Sequence, residues 1–141
     1  MMKTFLHTGL RVSELVSMST HDINFDEKSL YCKGKGDKIR VIDLSLDITQ
    51  HLKMFIGHFK LKSKDRLFPF TRQNINAICH NYDENLHPHK LRHTYAIQLL
   101  RKTKNLRFLQ KQLGHARLNT TALYLQFIEY DEEKKQLAEL F

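Results

Sequence analysis

The stretch HPHKLRHTYA at residues 87–96 gathers three histidines, an arginine and a lysine, then runs directly into the apolar residues Ile97, Leu99 and Leu100. Two chemistries compete for it. His89 and His93 stand four apart and would share a helix face, the spacing with which paired histidines hold zinc. However, the position after the first of them is Lys90 rather than the glutamate of a zinc hydrolase, and Lys90 with Arg92 would repel a cation. An anion suits the charges better, because His89 and Arg92 are three apart on one face and a guanidinium fork clasps two phosphate oxygens at once. Taken alone, such a basic face is also what an ordinary solvated helix presents. A second candidate, KGKGDK at residues 33–38, lacks both the spacing of a phosphate loop and the third glycine of a dinucleotide fingerprint, so it reads as a hairpin turn. Cys32 and Cys79 show no CxxC spacing and are expected as core or strand thiols rather than as a disulfide or a zinc site.

The elements that must carry these groups follow from periodicity. Met1 to Thr8 reads as the tail of a helix stopped by Gly9, and residues 11–18 as a second helix with Val12, Leu15 and Val16 on one face. Between Ile23 and Leu44 the period shortens. Ile23 and Phe25 alternate, DEKS turns, Leu30 and Tyr31 lead into KGKGDK, and Ile39, Val41 and Ile42 follow, which predicts an antiparallel meander of three strands. Helical spacing returns with Ile48, Leu52, Phe55 and Phe59. Leu67 to Phe70 is an extended link, and Thr71 is a candidate N-cap for a helix carrying Ile75, Ile78 and Tyr82. Pro88 suits the first turn of the next helix, with Leu91, Tyr95 and Leu99 in line behind it. Leu106, Leu109 and Leu113 mark another helix ended by Gly114. A short helix over 120–127 and a final one from Asp131 are expected to close the chain. The expected fold class is α+β, mainly helical, with one small antiparallel sheet near the N-terminus.

A chain of 141 residues can bury a sizeable core, and 41% of its residues are apolar. Lys and Arg number 23 against 15 Asp and Glu, a formal net charge of +8. That excess favours a polyanion, since each phosphate neutralised by a protein cation releases condensed counterions. Nucleic acid is the first expectation and a membrane surface the second. No apolar run approaches the ~20 residues of a spanning helix, and no secretory signal opens the chain, so no membrane partner and a cytoplasmic location are expected.

Four stretches together resemble the tyrosine recombinase, or phage integrase, family, and most closely its Xer-type members. They are TGLRVSEL at 8–15, GKG at 34–36, HKLRHTYA at 89–96 and LGHARLNTTALY at 113–124. In family order the matched positions are Arg11, Lys35, His89, Arg92, His115 and Tyr124, the tyrosine coming nine residues after His115. The resemblance implies a recombinase catalytic domain over residues 1–127, without its first helices, and a tail helix over 128–141 that either docks on a neighbouring subunit or packs on its own domain. It covers nearly the whole chain, but only the C-terminal part of a full recombinase.

The chemistry so implied is phosphoryl transfer. Tyr124 would attack a DNA phosphate in line, displace the 5′-hydroxyl and leave a 3′-phosphotyrosyl bond. Arg11 and Arg92 would hold the non-bridging oxygens, and His115 would add a hydrogen bond. His89 would manage the phenol proton and Lys35 would protonate the leaving oxygen. Protein cations stand where other phosphoryl-transfer enzymes use magnesium, so the resemblance implies no metal or other cofactor. Double-stranded DNA is the implied partner, with a homo-oligomer on DNA formed through the tail. Individual residues keep plainer roles beside these. Arg11 can pair with Glu14, Lys33 and Lys38 flank Lys35 in the same turn, His93 suits a buried structural place, and Tyr124 could be a core aromatic. A non-enzymatic DNA-binding module, an inactive remnant and a type IB topoisomerase-like nicking and closing activity are the competing functions.

Overall fold

The computed structural model describes residues 1–114, 126 and 136–139. Helix α1 (Met2–Thr8) ends at Gly9, which takes the left-handed conformation (φ 59°) and donates its N–H to the Phe5 carbonyl at 3.0 Å. The same glycine is closed to a side chain for a second reason. A Cβ at this position would stand 2.3 Å from Cδ1 of Tyr95, so that ring lies directly against the backbone of the turn. Helix α2 (Val12–Ser17) starts at Arg11, whose backbone N–H is accepted by the Glu14 carboxylate at 2.6 Å. Leu10 and Leu15 on either side of that start are buried.

The expected meander is an antiparallel sheet in the order β1 (Ile23–Asn24), β2 (Ser29–Lys33), β3 (Ile39–Asp43). Its register sets Ile23 opposite Leu30, Leu30 opposite Ile42 and Cys32 opposite Arg40. The apolar residues of β3 divide differently from the expectation. Ile39 is 69% exposed and Ile42 fully buried, and the residue that shares the Ile42 face two positions earlier is Arg40. A guanidinium therefore sits on the inward side of this strand, beyond the apolar centre of the sheet.

Helix α3 (Leu46–His58) buries Ile48, Thr49 and Leu52. Phe55 continues the stripe, its ring 5.3 Å from Phe68 and 4.7 Å from Phe59. Phe59 itself lies just past the end of the helix and is largely exposed. The extended link is tied to the end of α2, since Leu67 donates its N–H to the Met18 carbonyl at 3.0 Å and Arg66 Nε donates to the Val16 carbonyl at 2.8 Å. Thr71 is the N-cap of α4 (Arg72–Tyr82), its hydroxyl accepting the Asn74 N–H at 3.1 Å. The buried stripe of α4 is Ile75 and Cys79, one i,i+4 step, rather than Ile75, Ile78 and Tyr82; Tyr82, in the last turn, is exposed.

Helix α5 (Pro88–Thr103) has Pro88 in its first turn and His87 as its N-cap, where Nδ1 accepts the Lys90 N–H at 3.2 Å. One histidine of the opening cluster is thus a capping group. Helix α6 (Leu106–Leu113) is capped by Asn105, whose side-chain oxygen accepts the Phe108 N–H at 2.9 Å, and ends at Gly114 (φ 64°). Phe5, Leu15, Leu30, Ile42, Ile48, Leu52 and Ile75 form the main core. Tyr95, Ala96, Leu100, Leu109 and Leu113 form a second cluster between α5 and α6, and α1 packs against both α3 and α5. Residues 126 and 136–139 are helical, and the rest of the helices expected over 120–127 and from Asp131 lies outside the described residues. Among the described residues no helix is long and apolar enough to cross a membrane.

The Gly9–Tyr95 contact makes a direct prediction. Gly9→Ala combines a left-handed backbone with a methyl group driven into the Tyr95 ring, and should destabilise the fold by about 3 kcal/mol. Urea unfolding followed by circular dichroism measures this, and an unchanged midpoint would show that the turn and α5 are not packed as described.

Candidate active site

The site is built around one buried carboxylate. Glu14, in the first turn of α2, lies inside the protein with its oxygens taken by two guanidinium groups and one backbone amide. Arg11 reaches it from the start of the same helix, Nη1 to Oε1 at 3.1 Å. Arg40 reaches it from β3 with both ends of its fork, Nη1 to Oε1 at 2.5 Å and Nη2 to Oε2 at 3.0 Å. Burial by itself would raise the pKa of Glu14. The Arg40 hydrogen bonds, the Arg11 amide and the two positive charges outweigh it and hold the carboxyl below its ordinary value. Arg40 shifts in the complementary sense: burial would lower it, but its bonds to Glu14 raise it further. Both groups are charged at neutral pH.

Arg11 is the exposed member of this trio, with 44% of its side chain accessible against 12% for Arg40. It faces a cleft of about 950 Å³ together with Lys33, Lys38, Arg40 and Arg72. Five cationic side chains and one carboxylate line this space, with the hairpin on one side and the Gly114 turn on another. Such a lining suits an extended anion and is large enough for a phosphate with part of its backbone. Lys33 is also paired with Asp37 across the hairpin tip at 3.0 Å.

Arg92 is buried, and its guanidinium serves the scaffold of the same region. Nη1 donates to the Gly9 carbonyl and Nη2 to the Leu113 carbonyl, the latter at 2.8 Å. Those carbonyls lie two residues before Arg11 and one before Gly114, so Arg92 joins the two turns that flank the cleft. His89 is exposed in the first turn of α5, its ring stacked with that of His87 at a centroid distance of 6.4 Å, and it is not among the residues lining the cleft. His93 is half-buried, and burial followed by the charge of His89 holds its imidazole below the ordinary value. Lys35 begins the short 3-10 turn Lys35–Asp37 at the tip of the β2–β3 hairpin, between Lys33 and Lys38. His115 and Tyr124 lie outside the described residues.

The cysteines stand apart from this chemistry. Both are buried and free of disulfides, and burial, followed by the nearby Glu14 charge, pushes the Cys32 thiol up to about 12. Among the described residues no three His, Cys, Asp or Glu side chains are grouped to hold a metal ion. Arg40 and Arg72 are the contributors that motif spacing missed. For Arg40 a signal existed: it shares the face of Ile42 in a strand of period two, and a charge on an inward face requires a partner.

A model of the phage integrase family matches residues 1–129. The chain is similar to tyrosine recombinase XerD of Halalkalibacterium halodurans, with 33% identity over 88% of this chain and 47% of that protein. It is similar also to XerD of Staphylococcus saprophyticus, with 36% identity over 88% of this chain and 48% of that protein. Among solved structures it resembles the XerH site-specific recombinase bound to a palindromic difH substrate in a post-cleavage complex. The TM-score is 0.78 at 27% identity, over 96% of this chain and 43% of that one. The chain spans about half the length of the curated relatives it matches.

The Glu14 environment has a defined pH signature. Its carboxyl is depressed in the folded state, so its contribution is complete above the ordinary value of 4.5 and is lost as pH falls through the folded value. Glu14→Gln should lower stability at pH 7 by about 2 kcal/mol, because Arg40 loses its counter-charge. The difference between the two proteins should shrink below pH 4.5. Urea midpoints of both proteins between pH 3 and pH 7 test this, and a difference independent of pH would contradict it.

Proposed function

The chain belongs to the phage integrase family, and on that premise we propose that it carries the phosphate-handling part of a tyrosine recombinase, which breaks and rejoins duplex DNA through a 3′-phosphotyrosyl bond. The observation that supports this most directly is the cationic cleft lined together by Arg11, the hairpin and Gly114. The relative bound to difH in a post-cleavage complex lends the substrate class.

In this reading the scissile phosphate enters the cleft and Arg11 takes its non-bridging oxygens, while Glu14 keeps that guanidinium in place. Tyr124 supplies the nucleophile. Its phenol, with an ordinary pKa of about 10, gives up its proton as the oxygen attacks phosphorus in line, and His89 accepts that proton. The P–O5′ bond breaks, and Lys35 at the hairpin tip protonates the departing 5′-oxygen. The reverse steps rejoin the strand, because the phosphotyrosyl bond conserves the phosphoester. Arg92 and His115 complete the hydrogen bonding around the phosphate, Arg92 also by holding the turns on both sides. Residues 128–141 form the segment that engages a neighbouring subunit on DNA.

A duplex with a single nick just 3′ of the cleavage position traps the covalent step, since the short 5′-hydroxyl fragment diffuses away. The intact chain should form a protein–DNA adduct that resists denaturant, and Tyr124→Phe should form none. Arg11→Ala should slow adduct formation by at least about 100-fold. Binding measured by gel shift should weaken steeply with salt in all three proteins. Salt-sensitive binding with no adduct from the intact chain would instead favour the DNA-binding module without cleavage. A chain ending at residue 127 should bind a single site but lose cooperative binding to paired sites.

A further inference from the structure

We propose that Arg40 is a positioning residue of this cleft, which acts on Arg11 through the Glu14 carboxylate they share. The proposal rests on the reading of Arg11 as the group that takes the phosphate. Arg40 uses every nitrogen of its guanidinium: Nη1 and Nη2 hold the two oxygens of Glu14 at 2.5 and 3.0 Å, and Nε donates to the Gln112 carbonyl at 3.0 Å. The head group is therefore fixed from two sides by elements far apart in sequence. Gly114 leaves the space it needs, since a Cβ there would stand 2.6 Å from Cδ of Arg40.

The consequence for Arg11 is geometric. Its Nη1 donates to Oε1, the same oxygen that Arg40 grips. Without Arg40 the carboxylate keeps only contacts from Arg11 itself and is free to swing about its own side chain, carrying the Arg11 head group with it. A lysine would preserve the charge but offers no planar fork to span both oxygens and the carbonyl. Arg40 is borne on β3, so the hairpin that carries Lys35 and the arginine of α2 are braced through one group.

The test uses the full chain with Arg40→Lys and Arg40→Gln, each also combined with Arg11→Ala. On the nicked duplex Arg40→Lys should slow adduct formation by about tenfold or more. Its DNA affinity should stay within about twofold. In the Arg11→Ala background the same substitution should have little further effect. Equal slowing in both backgrounds would overturn the proposal, because a general loss of packing does not depend on Arg11. A second readout needs no cleavage. The Nε–H resonance of Arg11, identified by its loss in Arg11→Ala, should broaden or shift in the Arg40 variants, while the backbone amide spectrum of the same samples reports that the fold is kept. If the intact chain forms no adduct, the cleavage reading fails and this resonance alone decides: a change supports the positioning role, and an unchanged signal in a folded Arg40 variant overturns it. Should Arg40→Gln unfold, Arg40→Lys supplies the same comparison.

Discussion

A carboxylate inside a protein is tolerable only if its charge is answered, and Glu14 is answered three times within hydrogen-bond reach. Removing such an ion from water costs several kcal/mol before any partner is counted, so the arrangement is held together by its own completeness. The partners come from the start of α2 and from β3, and Arg40 extends the chain of contacts to the end of α6. Three elements separated by long stretches of sequence are thereby referred to a single charge. The open side of the same group faces the cleft through Arg11, which remains partly exposed, while Arg40 holds the carboxylate from a more buried position.

The division of labour among the cations follows from this. Arg40 is spent on protein groups, and Arg92 also donates to two carbonyls. Arg11, Lys38 and Arg72 line the space where an anion would sit, and Lys33 is shared with Asp37. The cleft is tied at its back by hydrogen bonds between protein groups, and its rim carries the cations that face solvent. The tip of the hairpin belongs to the rim. Gly36 and Asp37 both have positive φ there, and the turn is closed by the Gly34 N–H donating to the Lys38 carbonyl at 2.8 Å.

Much of this architecture was legible in the order of residues, and the reasons differ from element to element. The glycine stops at 9 and 114, the Thr71 cap and Pro88 at the head of α5 are local chemistry, and each appears where spacing placed it. The three-strand meander was legible because alternation and turn residues agree. What spacing could not supply was which face of a strand or helix meets the core. Ile39 and Tyr82 are apolar at exposed sites, and Arg40 is charged on the inward face of its strand. The assignment of Arg11 to the site followed from a motif, but its dependence on a residue 29 positions away did not, since no local rule pairs α2 with β3. The pairing of Arg11 with Glu14, foreseen as its plainer role, is present, and it leaves the same guanidinium lining the cleft.

Arg40 and Arg92 differ in how their partners would tolerate the drift of sequence. Arg92 is held by the carbonyls of Gly9 and Leu113. Every amino acid carries a carbonyl, so substitutions at these two positions leave those acceptors in place, and Gly9 is constrained by Tyr95 and its own backbone angle instead. Arg40 is held mainly by the side chain of Glu14, which only another acid could replace. Positions 14 and 40 are therefore tied to each other through their side chains, whereas the bonds from Arg92 to residues 9 and 113 make no demand on the side chains there.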